Sequence, residues 1–445
     1  MTEIKTKEQE LIRLANQDSL TGIANRHQFI NWLDEYIRLP SQPAPSYLMM
    51  LDLDNFKHVN DSLGHHAGDQ LLRHLSAQIK SVLPEEALLA RLGGDEFAIL
   101  IRHTNTQEVS QASAEKLSHS IREAVATPFN LHGHRIESKI SIGISFAPQD
   151  GLDPNEVLKA ADIALYHAKE KRNRSSFFTD YLKQKTLYKQ RLLNDLQVAI
   201  DEQQFFLVYQ PQFNLTAMQL TSFEALIRWQ HPELGQVTPD DFIPLTESSQ
   251  LIIPLGEWVL QQACEDALHW PESINVAVNV SAIQLEYSDF GEAIENTIRS
   301  TGLARKRLEL ELTESSIMNN SERNMAILEA FRASGGRIAI DDFGTGFSSF
   351  SYLHSFPLDK LKIDRSFIQL LSAELGDNSA MTIVNSIVKL GIALELQVTA
   401  EGIETEAQHQ HLKSLECQLG QGYFYAKPMT AAQLHTFIPN STSQN

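Results

Sequence analysis

FFLVYQP (205–211), TSFEALIRW (221–229), NVAVNVS (275–281), RLELELTE (307–314), RIAIDDFG (337–344), KLKIDRSF (360–367), LQVTAEGI (396–403) and QLGQGYFYAKP (418–428) are eight strand-like runs in the second half of the chain. Helical stretches separate them. Eight strands alternating with helices over about 240 residues have the size and rhythm of a TIM-type (β/α)8 barrel. The polar residues fall in a pattern. Glu224, Asn279, Glu311, Asp341-Asp342, Lys362, Glu401 and Gln421 each lie within or near the end of a different run. A closed barrel would bring them to one mouth. A single acidic residue in a strand is ordinarily a solvated edge or an ion-pair partner. Seven polar positions on seven strands are harder to explain that way. Burying so many carboxylates without cations is very costly, so divalent metals are the simplest neutralisers. Glu, Asp and Asn oxygens favour Mg²⁺ or Mn²⁺ over zinc. Adjacent aspartates can serve two neighbouring ions, an arrangement suited to phosphodiester hydrolysis.

Upstream, strands and helices alternate differently: strand 47–54, helix 69–83, strands 87–91 and 97–102, helix 108–126, strand 136–145 and helix 154–171. That order predicts a compact α/β sandwich of about 160 residues. A helix is expected over 5–16, another over 26–39, a loop at the proline-rich PSQPAPS (40–46), and a further helix over 179–203. GGDEF (93–97) lies between apolar runs and reads as a hairpin tip. Taken alone it is a glycine turn with solvated acids. Asp52 ends the preceding apolar strand, however, and two acidic strand ends in one sheet can share a metal. Lys57 offers a cation for phosphate, and Asn60 and Asp69 offer groups that could read a guanine edge. The expected organisation is an N-terminal signalling helix (1–16), the sandwich (17–178), a linker helix (179–191) and the barrel (192–440).

Composition narrows the function classes. The 445 residues are 42% hydrophobic, enough for two buried cores. The formal net charge of −19 argues against broad nucleic-acid binding. No apolar run reaches the roughly 18 residues needed to span a bilayer, and the N-terminus lacks an apolar signal core. The two cysteines, Cys264 and Cys417, are far apart in sequence. They suggest no disulfide framework and fit a reducing cytoplasm. The 16 histidines are scattered without a zinc-ligand spacing.

The second half resembles the EAL-type cyclic di-GMP phosphodiesterases. Ordered matches run YQP (209–211), EALIRW (224–229), NVS with Gln284 (279–284), ELTES (311–315), DDFGTG (341–346), KID (362–364), AEGIE (400–404) and QGY (421–423). The resemblance implies Glu224, Asn279, Glu311 and Asp341 on a first metal, and Asp341, Asp342 and Glu401 on a second. It places Lys362 at the attacking water, with Asp364 assisting and Glu404 supporting from behind. Leu226, Arg228, Gln210 and Gln421 would meet substrate, with Arg228 on a phosphate and Gln210 on a guanine edge. Glu314 would anchor the loop after Asp342, whose Gly344 and Gly346 allow unusual backbone angles. The implied reaction opens cyclic di-GMP to linear pGpG.

The first half is similar to the GGDEF-type diguanylate cyclases, through DSLTGIANR (18–26), LDLDNFKHVND (51–61), GHHAGD (64–69), GGDEF (93–97), SIGIS (141–145) and ADIALYHAK (161–169). The resemblance implies Mg²⁺ on Asp52 and Asp95, Glu96 as a candidate base, phosphate at Lys57, and guanine at Asn60 and Asp69. Two GTP-loaded domains would meet to make the cyclic product, so a homodimer is implied. Two departures stand out. Pro84-Glu85-Glu86-Ala87 replaces the family's inhibitory RxxD, and AKEKR (168–172) shortens the phosphate clamp while keeping Lys169. The leading expectation is therefore a bacterial cytoplasmic enzyme of cyclic di-GMP turnover. Two alternatives stay open: a first half that only binds GTP and regulates, and a non-catalytic cyclic di-GMP receptor.

Overall fold

A computed structural model describes residues 13–38, 45–102, 109–131, 133–287, 289–314, 316, 322–344, 356–371 and 378–442. Most of the helix expected at 5–16, most of the 40–46 loop, and Gly346 lie outside the described residues. The chain divides into two compact units, Met1–Tyr188 and Lys189–Asn445. Helix Asp180–Asp201 runs through the division as a single element, so the linker helix expected at 179–191 has no end of its own there.

The first unit is built on a six-stranded sheet. Its order is Ala24–Asn25, Leu88–Gly93, Glu96–Arg102, Ser46–Leu53, Ile140–Ala147 and Ser175–Phe177. All eight residues of the central strand Ser46–Leu53 are buried, which is what a strand covered on both faces requires. Side chains alternate across the pleat. Tyr47, Met49 and Leu51 enter one core beside Leu71, Leu75 and Ile121, and Leu48 and Met50 enter the other beside Phe29, Leu33 and Leu165. The strand expected at 136–145 is two strands, His134–Ile136 and Ile140–Ala147. The helix expected at 69–83 begins earlier, as His65–Val82, and a short helix not foreseen, Phe56–Leu63, precedes it.

The second unit is a closed barrel of eight strands. Around the ring run Leu220–His231, Asn275–Val280, Leu308–Thr313, Arg337–Phe343, Lys360–Ile363, Gln397–Ala400, Leu419–Gln421 and Phe205–Asn214, which pairs back onto the first. Seven strands are parallel. Phe205–Asn214 runs antiparallel to both neighbours, a departure from the uniform (β/α)8 expectation. The reason is local. Only residues 215–219 separate it from the next strand, and so short a link can make a hairpin but not a parallel crossover. The last run is also shorter than expected: QLGQGYFYAKP contributes strand only at Leu419–Gln421.

The strand pattern sets what faces inward. Leu308, Leu310, Leu312, Ile338, Ile340, Leu361 and Ile363 pack in the outer core against the helices. The alternate positions Glu309, Glu311, Asp341, Lys360 and Lys362 therefore point into the barrel, and all are at least nine-tenths buried. Barrel interiors are ordinarily filled with branched aliphatic side chains; this one carries charge. Among the described residues no helix is long and apolar enough to cross a membrane.

Candidate active site

Lys362 is fully buried and stands among four carboxylates. Its Nζ lies 2.6 Å from Glu311 Oε2, 2.7 Å from Glu401 Oε1, 3.1 Å from Asp341 Oδ2 and 3.6 Å from Glu224 Oε2. Four carboxyl groups thus share one ammonium in a buried pocket. Glu224 is held by amides: Asn279 Nδ2 donates to Oε1 at 2.7 Å, and Gln421 Nε2 donates to Oε2 at 2.6 Å. Asp342, within the strand Arg337–Phe343, adopts the left-handed region, at φ 53°, and is exposed. Glu314 Oε2 accepts from the backbone N–H of Gly344 at 3.3 Å, and Gly344 itself sits at φ 100°, where a side chain would be strained.

Electrostatics follow from this crowding. Burial pushes Glu401 up to about 8, and the negative Asp341 and Glu224 add to it against the pull of Lys362. Burial, Asp341 and Asp364 push Asp342 up to about 6. Burial also raises Glu311 well above the usual carboxylate range. Burial would raise Glu224 too, but Lys362, Gln421 and Asn279 together hold it below its ordinary value. Lys362 stays charged: burial opposes its charge, and the surrounding carboxylates more than compensate.

These shifts predict a pH dependence. A carboxyl raised in the folded state stabilises the fold below its unfolded pKa, and that contribution is lost as pH rises through the folded value. The metal-free protein should therefore lose stability between about pH 4.5 and 8, the window that Glu401 sets. Denaturant titrations in EDTA across this range test it; stability that climbs with pH would contradict the assignment.

The residues fit divalent cations. Glu224, Glu311 and Asp341 each offer an oxygen within 4.8 Å of the others, as do Asp341, Asp342 and Glu401. Among the described residues the buried Glu311 Oε1 has no hydrogen-bond partner. An orphaned carboxylate oxygen in a site of net negative charge suits a hard cation.

Two clefts border this cluster. One is walled by Leu226, Arg228, Glu247, Asn279, Gln284 and Asp342, the other by Gln210, Glu224, Leu226, Arg365, Glu401, Glu404, Gln421 and Tyr423. Arg228 is half-buried, which pulls its pKa down. Asp364 caps the helix Arg365–Leu370 by accepting from Ser366 N. Glu404 is exposed on the wall of the second cleft.

In the first unit the sheet sets Asp52 opposite Glu96. Burial raises Asp52 to about 6, with Asp95 and Glu96 contributing against the pull of Lys169. Lys169 reaches into this group, with Nζ 2.6 Å from Asp52 Oδ2. The residue expected on a phosphate thus meets a carboxylate expected on the metal. Arg91 escaped the sequence reading. It donates to Asp18 and to the Gly94 carbonyl, tying the 18–22 turn to the hairpin tip.

Comparison with known proteins identifies both units. Residues 193–428 match the EAL domain family, and residues 15–175 match the family described as diguanylate cyclase, GGDEF domain. The chain belongs to the GGDEF–EAL family. The bifunctional diguanylate cyclase/cyclic di-GMP phosphodiesterase MucR of Pseudomonas aeruginosa is 38% identical over 439 residues, 97% of this chain and 63% of that protein. The cyclic di-GMP phosphodiesterase NbdA of the same organism is 38% identical over 436 residues, 96% of this chain and 54% of that protein. The chain therefore spans between about half and two thirds of the length of these relatives. The PaMucR phosphodiesterase structure, a c-di-GMP complex, shares 42% identity at a TM-score of 0.53, covering 55% of this chain and 99% of that one. EAL phosphodiesterases are metal-dependent, and the EAL barrel here carries the acidic clusters.

In the GGDEF domain Lys57 and Asp69 are exposed on consecutive helices, and Asn60 is half-buried between them. A Cβ at Gly68 would lie 2.0 Å from Asn60 Oδ1. Gly68→Ala should therefore keep the fold, since alanine favours a helix interior, yet push the Asn60 amide aside. On the expectation that Asn60 reads guanine, GTP binding measured by calorimetry should weaken about tenfold, the cost of one lost polar contact. Wild-type affinity would remove Asn60 from the nucleotide site.

Proposed function

We propose that the EAL barrel hydrolyses cyclic di-GMP to linear pGpG and that the GGDEF domain condenses two GTP into cyclic di-GMP. One observation carries the first part: four carboxylates surround Lys362 in the barrel interior, and all four belong to the two acidic clusters that suit a pair of hard cations. Glu224, Asn279, Glu311 and Asp341 would hold one Mg²⁺ or Mn²⁺, and Asp341, Asp342 and Glu401 the other. Bound there, the ions would supply Lewis-acid activation of water and neutralise charge on the phosphodiester.

The chain's own residues do the rest. Lys362 keeps its proton and holds Glu311, Asp341 and Glu401 in place, and its ammonium lies where it can orient a water among them. Gln421 and Asn279 keep Glu224 aimed inward. Arg228 offers a guanidinium to a substrate phosphate from the cleft wall. Leu226 provides an apolar surface beside it, and Gln210 an amide for a guanine edge. Glu314 steadies the backbone after Asp342. The buried, unpaired thiols of Cys264 and Cys417 support a reducing, cytoplasmic setting.

Incubation with cyclic di-GMP and Mg²⁺ or Mn²⁺, followed by chromatography, should yield pGpG. Tight binding without hydrolysis would make the protein a receptor instead. The shortened clamp AKEKR at 168–172 favours a second reading of the first half, in which the domain binds GTP and regulates its neighbour. An Asp341→Ala protein incubated with GTP separates the two, because any cyclic di-GMP formed would persist. Cyclase chemistry also needs two GTP-loaded domains face to face, so a homodimer is part of this reading.

A further inference from the structure

A second charged layer lies one step beneath the cluster. Glu309, Lys360 and Ser222 each precede a site residue by two positions in a parallel strand, and Gln212 follows Gln210 by two in the antiparallel one. All four are at least nine-tenths buried. Lys360 Nζ lies 2.5 Å from Glu309 Oε1 and 3.2 Å from Gln212 Oε1. Ser222 Oγ donates to the same Gln212 oxygen at 2.8 Å. Gln212 Nε2 donates to Gln421 Oε1 at 2.9 Å. Gln421 Nε2 then donates upward, to Glu224 Oε2 at 2.6 Å and to Gln210 Oε1 at 3.0 Å.

The direction of this chain is dictated at both ends. An ammonium has no acceptor, so Gln212 must turn its oxygen toward Lys360. A carboxylate has no donor, so Gln421 must turn its nitrogen toward Glu224. The two amides between are left with one arrangement. Stability alone does not explain the layer. Replacing a buried ion pair with apolar side chains is often neutral or stabilising, and barrel interiors ordinarily hold branched aliphatics here.

We propose that Gln212, oriented by the buried Lys360–Glu309 pair, is a positioning residue that fixes Gln421 and through it the Glu224 carboxylate and the Gln210 amide. The proposal rests on reading Glu224 as a metal ligand. Polar groups that hold a ligand from behind typically matter about 10–100-fold in metal affinity or activity when removed.

The test is Gln212→Met in the full chain, which leaves Lys360 paired with Glu309. Mn²⁺ affinity is read by electron paramagnetic resonance without substrate, alongside the thermal melt and kcat and KM for cyclic di-GMP. Mn²⁺ binding should weaken about tenfold or more and kcat should fall, with a folded circular-dichroism spectrum. Wild-type Mn²⁺ affinity and kcat, with only a lowered melting temperature, would reduce Gln212 to a packing residue and overturn the proposal. Lys360→Met/Glu309→Leu, which leaves no buried charge unpaired, is measured beside it and decides the matter should Gln212→Met not fold. It too should weaken Mn²⁺ binding; unchanged affinity would overturn the role of the ion pair. Because Mn²⁺ binding is read without substrate, it remains informative even if the wild-type protein makes no pGpG, the result that would sink the phosphodiesterase reading instead.

Discussion

Lys362→Met should make the stability of the barrel depend on a divalent cation. In the wild type this one ammonium contacts Glu224, Glu311, Asp341 and Glu401, and it is fully buried. Methionine fills similar space but leaves the four carboxylates facing one another. Removing one partner of a buried ionic group costs about 3–5 kcal/mol. For a domain of this size that is on the order of 10 °C in melting temperature. In EDTA the variant should melt well below the wild type. Added Mg²⁺ or Mn²⁺ should recover much of the loss, because bound cations can neutralise the same oxygens. A melting curve unchanged in EDTA would mean that the carboxylates take up protons at little cost and that Lys362 is not what holds them together. Turnover should stay low even with metal present, since no ammonium remains to orient the water.

The second large effect is on chemistry rather than folding. Glu224→Gln keeps the size of the side chain and removes its charge. Asn279 and Gln421 now donate to different oxygens of the carboxylate, so whichever way the new amide turns, its amino group faces one of theirs. One donor then opposes another in either orientation, and the variant is left one metal-binding oxygen short. Metal activation contributes several kcal/mol to such reactions, and each 1.36 kcal/mol is about tenfold in rate. Hydrolysis of cyclic di-GMP should therefore drop about a thousandfold or more, with the melting temperature near that of the wild type. Single-turnover assays at saturating Mn²⁺ would show it. A variant retaining a tenth of wild-type activity would remove Glu224 from the metal site.

Much of the site was legible before any coordinates. Glu224, Glu311, Asp341 and Lys362 stand out because each interrupts an apolar strand at an inward position, and such interruptions are costly unless they serve a site. Glu309 and Lys360 carry the same signal, two residues earlier in the same strands. They went unread because a lone charged residue deeper in a strand looks like an edge position, and the contacts of Lys360 with Glu309 and Gln212 span 51 and 148 residues of sequence. Arg91 was missed for a similar reason: its partner Asp18 is 73 residues away.

Read alone, the residue pattern determines the two α/β units, the eight barrel strands and the identity of the inward acids. Those follow from the period-two alternation of apolar and polar side chains, a local property. The reversed strand was not among these: the runs read at 205–211 and 221–229 leave a longer gap, and the structure shortens the link to 215–219. Only the closed barrel decides which groups meet. Strand register and closure set Lys362 among four carboxylates and send the amide chain from Lys360 to Glu224, because such contacts depend on the stagger between strands far apart in sequence.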